Sequence, residues 1–311
     1  MRVVVVGAGV SGLLAAQSLQ THGHDVIVVD KGRSVGGRLA TRRINDARLD
    51  HGAQFFTVRD EQFEEIVSEW TKDGIVHEWC RGFDTSDGHP RFVGSHGMNS
   101  IAKHLAVNLA VRCDTLVFGI QKTATGWTVI IDDTSTIECD ALVMTCPIPQ
   151  TFSLLFTGGI EMPEELRNTD YDRTIGLLAV LDAPSAIAPP GGLQNPDAMF
   201  SFIGDNMSKG VSSIPAVTFH ANAEWSLKNY ENTHDQLHDS LLTAIAPYIG
   251  DARVVASQVK KWRFATPQKS WPDRCWVHDS GSLVLAGDAF AGPKIEGAAL
   301  SGLAAADALL L

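Results

Sequence analysis

The chain has 311 residues, 44% hydrophobic and 20% charged, which is enough to bury a large core and close to the length at which one domain gives way to two lobes. A net charge of −11 and a pI near 5.4 oppose attraction to phosphate backbones, and no lysine- and arginine-rich cluster offers a nucleic-acid footprint. The cysteines (Cys80, Cys113, Cys139, Cys146, Cys275) are odd in number and scattered, with no C-x-x-C pair. They argue against a disulfide framework or a zinc site and for a cytoplasmic setting.

Arg2 and the apolar run after it superficially resemble a secretory signal, but Gly7, Gly9 and Gly12 interrupt that run at spacings a signal has no use for. No run of 18 apolar residues follows elsewhere, so no membrane span is expected. Val3 to Val6 is a β-branched run of strand length, Gly12 to Gln20 places Leu13, Ala16 and Leu19 at helical spacing, and Asp25 to Asp30 reads as a second buried strand. That order is a βαβ unit, which opens a parallel sheet by a right-handed crossover.

An irregular, arginine-rich segment from Lys31 to Phe56 precedes an amphipathic helix predicted over Glu61 to Lys72. Thr115 to Gln121 and Trp127 to Asp132 flank a turn at Thr125 and Gly126 and read as a hairpin. Ala141 to Thr145 reads as a returning buried strand. Proline, aromatic residues and alternating strands then dominate from Pro163 to Ala265, as expected of a second lobe. Ser282 to Ala286 is again a short strand, and Glu296 to Leu311 an alanine- and leucine-rich helix. The expected fold class is therefore α/β, with a Rossmann-type lobe and a second α+β lobe on a mixed or antiparallel sheet. Its expected boundaries are 1–60, 95–160 and 270–311 for the first lobe, and 61–94 and 161–269 for the second.

Gly7-Ala8-Gly9-Val10-Ser11-Gly12 matches G-x-G-x-x-G between a predicted strand and helix. The first glycine suits the tight turn, the second the approach of a pyrophosphate, and the third close helix–strand packing, with the helix N-terminus facing the anion. Asp30, at the end of the next strand, lies near the offset expected for an acceptor of adenosine ribose hydroxyls. The pattern does not separate NAD from FAD, but the C-terminus does. There a strand ending in Gly287-Asp288 is followed by Glu296-Gly297-Ala298 entering a helix. Such an arrangement brings a carboxylate to ribityl hydroxyls and a helix N-terminus to the pyrimidine edge of a flavin, favouring its reduced, negatively charged form.

These residues, with Asp30-Lys31, Gly36-Gly37-Arg38, the run from Leu49 to Phe56, Phe92-Val93-Gly94, Gly97-Met98 and Lys261 to Ala265, resemble flavoproteins of the amine-oxidase superfamily, specifically bacterial renalases, over nearly the whole chain. The resemblance implies that FAD is the cofactor and that Ser11 and Arg38 contact its phosphates. It also implies that Gln54, Phe55 and Phe56 lie by the isoalloxazine and that Gly297 and Ala298 abut its pyrimidine edge. A permanent guanidinium beside a pyrophosphate is physically reasonable.

His220, Trp225, Trp262 and Phe264 are candidates for a substrate wall, although large aromatics are more often core. His234 and His238 share a helical spacing but lack the glutamate of a zinc-binding H-E-x-x-H, and read as a solvated face; no metal is expected. The expected chemistry is direct hydride transfer from a reduced substrate, with dioxygen returning hydrogen peroxide. The renalase resemblance implies isomeric dihydronicotinamide dinucleotides as substrates. A small amine is the alternative, for which a lysine near the flavin would be usual and Lys261 sits in a suggestive segment. A flavin-binding scaffold without turnover is the third reading.

Overall fold

The computed structural model describes residues 1–83, 85 and 87–311. Strand β1 (Arg2–Val6), helix α1 (Val10–Thr21) and strand β2 (Asp25–Val29) open the chain, followed by the hairpin β3 (Thr41–Ile44) and β4 (Ala47–Asp50). Next come α2 (Glu61–Lys72), the hairpin β5 (Val76–Cys80) and β6 (Arg91–Gly94), α3 (Asn99–Leu105) and β7 (Ala110–Arg112). A meander of β8 (Val117–Lys122), β9 (Trp127–Ile131) and β10 (Thr136–Cys139) leads to β11 (Ala141–Met144), α4 (Ile148–Thr157) and α5 (Glu164–Arg167). The second lobe holds β12 (Tyr171–Leu181), β13 (Gly192–Gln194), β14 (Phe200–Asp205), β15 (Ala216–Ala221), α6 (Ala223–Asn229), α7 (His234–Ile249) and β16 (Val254–Pro267). The chain then returns through β17 (Trp276–Val277), β18 (Leu283–Leu285) and α8 (Lys294–Leu310).

The first sheet runs β17-β18-β11-β1-β2-β7, parallel throughout except for β17. Its strands are continuous apolar runs because both faces are covered. Val3 and Val5 face a cluster with α1, α3 and α8, while Val4 and Val6 face one built from the β8–β10 meander and α4. The second sheet, β13-β14-β15-β12-β16, is antiparallel and carries α7 through Leu237, Leu241 and Ile245. Together they make an α/β fold with a Rossmann-like layer and a second sheet.

Helix α2 occupies the span its amphipathic pattern predicts, capped by Asp60, whose carboxylate accepts from Gln62 N at 3.0 Å. The segment 61–94, expected in the second lobe, divides between the two: Phe63, Val67, Trp70, Val76 and Val93 join the cluster formed by β1, α1 and α8, while Trp79 Nε1 donates to Pro190 O at 2.8 Å and His77 Nε2 to Lys209 O at 2.9 Å. The apolar face of α2 needed a partner, and the nearest uncovered surface belongs to the first lobe. Among the described residues, no helix is long and apolar enough to cross a membrane.

Candidate flavin site at the junction of the lobes

The glycine turn forms between β1 and α1. A Cβ on Gly12 would overlap the Gly7 carbonyl oxygen, so helix and strand close to a distance that no side chain permits. At Gly9 a Cβ would meet nothing within 4 Å, so the turn is open on the side where a ligand would lie. Helix α1 has no side-chain cap and no acidic residue in its first turn, leaving its amide donors facing that opening. The Ser11 hydroxyl is buried there without a partner among the described residues. Bare amides, a positive helix end and an orphaned hydroxyl fit a dinucleotide diphosphate.

The neighbouring loops are tied to this turn. Gly36 N donates to Ala8 O at 2.8 Å, and Gly37 packs its α-carbon region against Gly9. Both oxygens of Asp30 already accept backbone amides, from Ala8 at 2.7 Å and from Gly32 at 2.7 Å. Asp30 therefore shapes the turn itself. Lys31 is exposed. Helix α8 packs so closely on α1 that a Cβ on Gly302 would strike the Ser11 backbone, and the Ser301 hydroxyl accepts from Gly287 N at 2.8 Å.

Arg38 and Asp288 meet each other. Nη2 donates to Oδ1 at 2.6 Å, and Nη1 donates to Oδ2 and, more weakly, to Ala265 O at 3.3 Å. Burial works against the guanidinium's charge, but Asp288 more than offsets it and its pKa is raised. The Glu296 carboxylate is directed to the amides of Arg59 and Asp60, at 3.2 and 2.7 Å. It thereby anchors the strap ahead of α2, while Gly297 and Ala298 lie in the first turns of α8.

The segment from Asp50 to Phe55 is the seam between the lobes. Asp50 is fully buried and pairs with Lys209, itself fully buried, at 3.1 Å. Burial lowers the Lys209 pKa, while Asp50 pulls it back up. The other Asp50 oxygen accepts from the Thr41 hydroxyl at 2.6 Å and from Met98 N at 2.8 Å. Gln54 is held at both ends: Nε2 donates to Asp50 O and Gly52 O, and Oε1 accepts from Lys209 at 3.3 Å. Successive side chains then part. Phe55 enters a box with Trp79, Phe83 and Phe202, whereas Phe56 is 4% exposed and packs in the first-lobe core on Phe63, Trp70 and Phe92. Phe56, expected beside the flavin, is thus a packing residue, because alternation along an extended segment sends neighbours to opposite sides.

His220 and Trp262 converge on one acceptor, the His51 carbonyl, at 3.2 and 2.7 Å. The His51 ring stacks on Trp262, with centroids 5.2 Å apart and planes inclined by 21°. Burial, aided by Lys260, His220 and Arg42, lowers the His51 pKa to about 4; burial, aided by Lys209, lowers that of His220 to about 4. Both imidazoles are neutral at pH 7.

The other two expected wall residues lie apart. Trp225, on α6, packs against the second-lobe core. Phe264 stacks edge-on against Tyr171, beside Arg38. Lys261 is exposed, donating to Tyr230 O and Asn232 O at 2.6 and 2.9 Å. Sequence reading missed Lys209, Asn206 and Thr218, which hold Asp50 from the second lobe, Asn206 and Thr218 doing so through its backbone. No short motif marks them.

Comparison with known proteins agrees with this geometry. Residues 5–70 match an NAD(P)-binding Rossmann-like domain, and residues 76–310 match the flavin containing amine oxidoreductase family. Hydroxyneurosporene desaturase of Rubrivivax gelatinosus is 45% identical over 58 residues, 19% of this chain and 11% of that enzyme. The L-amino acid oxidase of Cerastes cerastes is 55% identical over 42 residues, 14% of this chain and 8% of that enzyme. The chain thus spans about a tenth of the length of these curated relatives. A putrescine oxidase bound to putrescine superposes with TM-score 0.73 at 16% identity, covering 100% of this chain and 99% of that one. An oxidoreductase from Methanosarcina mazei superposes with TM-score 0.68 at 15% identity, covering 98% and 99%. These two share the fold. The chain belongs to the flavin containing amine oxidoreductase family.

Proposed function

We propose that this oxidoreductase binds FAD on the α1 turn and oxidises a flat, reduced heterocycle, with isomeric dihydronicotinamide dinucleotides as the substrate class. The observation that carries the reading is the neutral, planar surface of His51 stacked on Trp262 and flanked by His220 at the lobe seam. A dihydropyridine ring is flat and uncharged, so such a surface takes it without desolvating a counter-ion.

The amides of α1, Ser11, Arg38 and Asp288 would hold the cofactor's diphosphate and ribityl chain. FAD held there would supply an acceptor for the hydride of the substrate's ring carbon and, with one solvent proton, a route for the two electrons to dioxygen as hydrogen peroxide. The chain's own residues position and desolvate. Trp262 Nε1 and His220 Nε2 fix the His51 carbonyl, which orients the imidazole above the indole. Lys209 and Asp50 fix Gln54 from beneath. Because oxidation of a dihydropyridine yields an aromatic cation, it needs no side-chain base.

A small amine is the competing substrate, favoured by the family match over residues 76–310. Anaerobic mixing separates them: the proposal expects dihydronicotinamides reduced at ring positions 2 or 6 to bleach the flavin band within one turnover. Bleaching by an amine and not by these isomers overturns it.

A further inference from the structure

We propose that a second site, on the outer face of the β3–β4 hairpin, binds a phosphate monoester dianion. Arg43 and Arg48 are direct partners across the hairpin, so their side chains leave the same face side by side. Like charges so placed repel and destabilise a hairpin. Among the described residues neither guanidinium forms an ion pair; Arg48 Nη1 donates to the imidazole of His96 at 3.4 Å. Both line a cavity of about 320 Å³, closed on the far side by Gly210 to Ser213 and sharing no residue with the flavin site.

Two guanidiniums side by side match a group carrying two negative charges and several oxygens, which a carboxylate does not offer. The Ser213 side chain, on the exposed opposite wall, adds a hydroxyl. The protein's net charge of −11 repels anions elsewhere, so a positive pocket is selective on this surface. The cavity also accommodates part of the group to which the phosphate is esterified. One residue opposes binding: Asp46, in the hairpin turn, lines the same cavity.

That opposition gives the test a sign. Holoprotein is titrated with inorganic phosphate by calorimetry at ionic strength held constant with chloride. Arg43 and Asp46 are both exposed, so neither substitution threatens the core. Arg43→Gln is expected to weaken phosphate binding about tenfold, and Asp46→Asn to tighten it about threefold. Phosphate binding that neither substitution moves, or no binding to wild type, overturns the site. Adenosine 2′,5′-bisphosphate and AMP identify the source. Tighter binding of the bisphosphate that Arg43→Gln abolishes assigns the pocket to a nucleotide 2′-phosphate, and equal binding of all three probes assigns it to a free phosphate group. Bleaching of the flavin is not read, so this site and the redox reading fail separately.

Discussion

Arg38 and Asp288, 250 residues apart in the chain, face each other fork to fork at the meeting of the second glycine loop with the strand β18 exit. Each was expected on the cofactor, one at the diphosphate and one at the ribityl chain. Their pairing joins the two loops into one charged unit. We predict that Asp288→Asn, which strands the guanidinium, costs about 2–3 kcal/mol in urea unfolding. The double variant Arg38→Met with Asp288→Leu should cost less than the sum of the single changes. Strict additivity would show that the pair carries no coupling.

The glycine turn separates folding from binding. Gly9 has open space and a φ of −78°, so Gly9→Ala is predicted to leave the melting temperature of apoprotein unchanged while reducing FAD affinity at least tenfold. Gly12→Ala is predicted to prevent folding, because the added methyl would overlap the Gly7 carbonyl oxygen, a backbone atom, and crowd Thr145 and Val5. Fluorescence titration of apoprotein with FAD, beside thermal melts, distinguishes the two. Unchanged FAD affinity in Gly9→Ala would remove the diphosphate from this turn.

Ser11→Ala deletes a buried hydroxyl that has no partner among the described residues. Apoprotein stability should hold or rise slightly, and FAD binding should weaken by about 1 kcal/mol, a factor of about five. Loss of apoprotein stability would mean that the hydroxyl serves the fold.

Lys209 and Asp50 form an ion pair with no exposed side-chain surface. Lys209→Met is predicted to cost about 3–5 kcal/mol, since it leaves Asp50 buried and uncompensated. Adding Asp50→Asn should recover part of that loss. A double variant as unstable as Lys209→Met alone would place the cost in packing and not in charge.

His51 and His220 titrate at about 4 in the folded protein, below the ordinary value of 6.5. The unfolded chain therefore takes up protons first as acid is added. Their contribution is complete above about pH 6.5 and is lost as pH falls towards 4. Denaturant unfolding at a series of pH values should show this decline, and His220→Gln should make it shallower by about one proton. An unchanged slope would mean that His220 is protonated in the native state.

Local patterns carried much of this protein. The β-branched run of β1, the three glycines after it, the amphipathic period of α2 and the Thr-Gly turn of the β8–β9 hairpin each depend on interactions within a few residues, and each formed where its pattern lies. The Rossmann-like layer was legible for the same reason, since backbone geometry is written in glycine spacing, whereas the flavin reading rested on the C-terminal segment and on family resemblance. Tertiary structure alone decided the rest. It sent Phe55 to an aromatic box and Phe56 to the core, divided the segment 61–94 between the two lobes, and brought Lys209, His220 and Trp262 onto a single six-residue seam. The seam contacts of Lys209, His220 and Trp262 join residues more than 150 positions apart, and all of these placements follow from strand register and from which apolar face found cover. No short stretch of sequence encodes either.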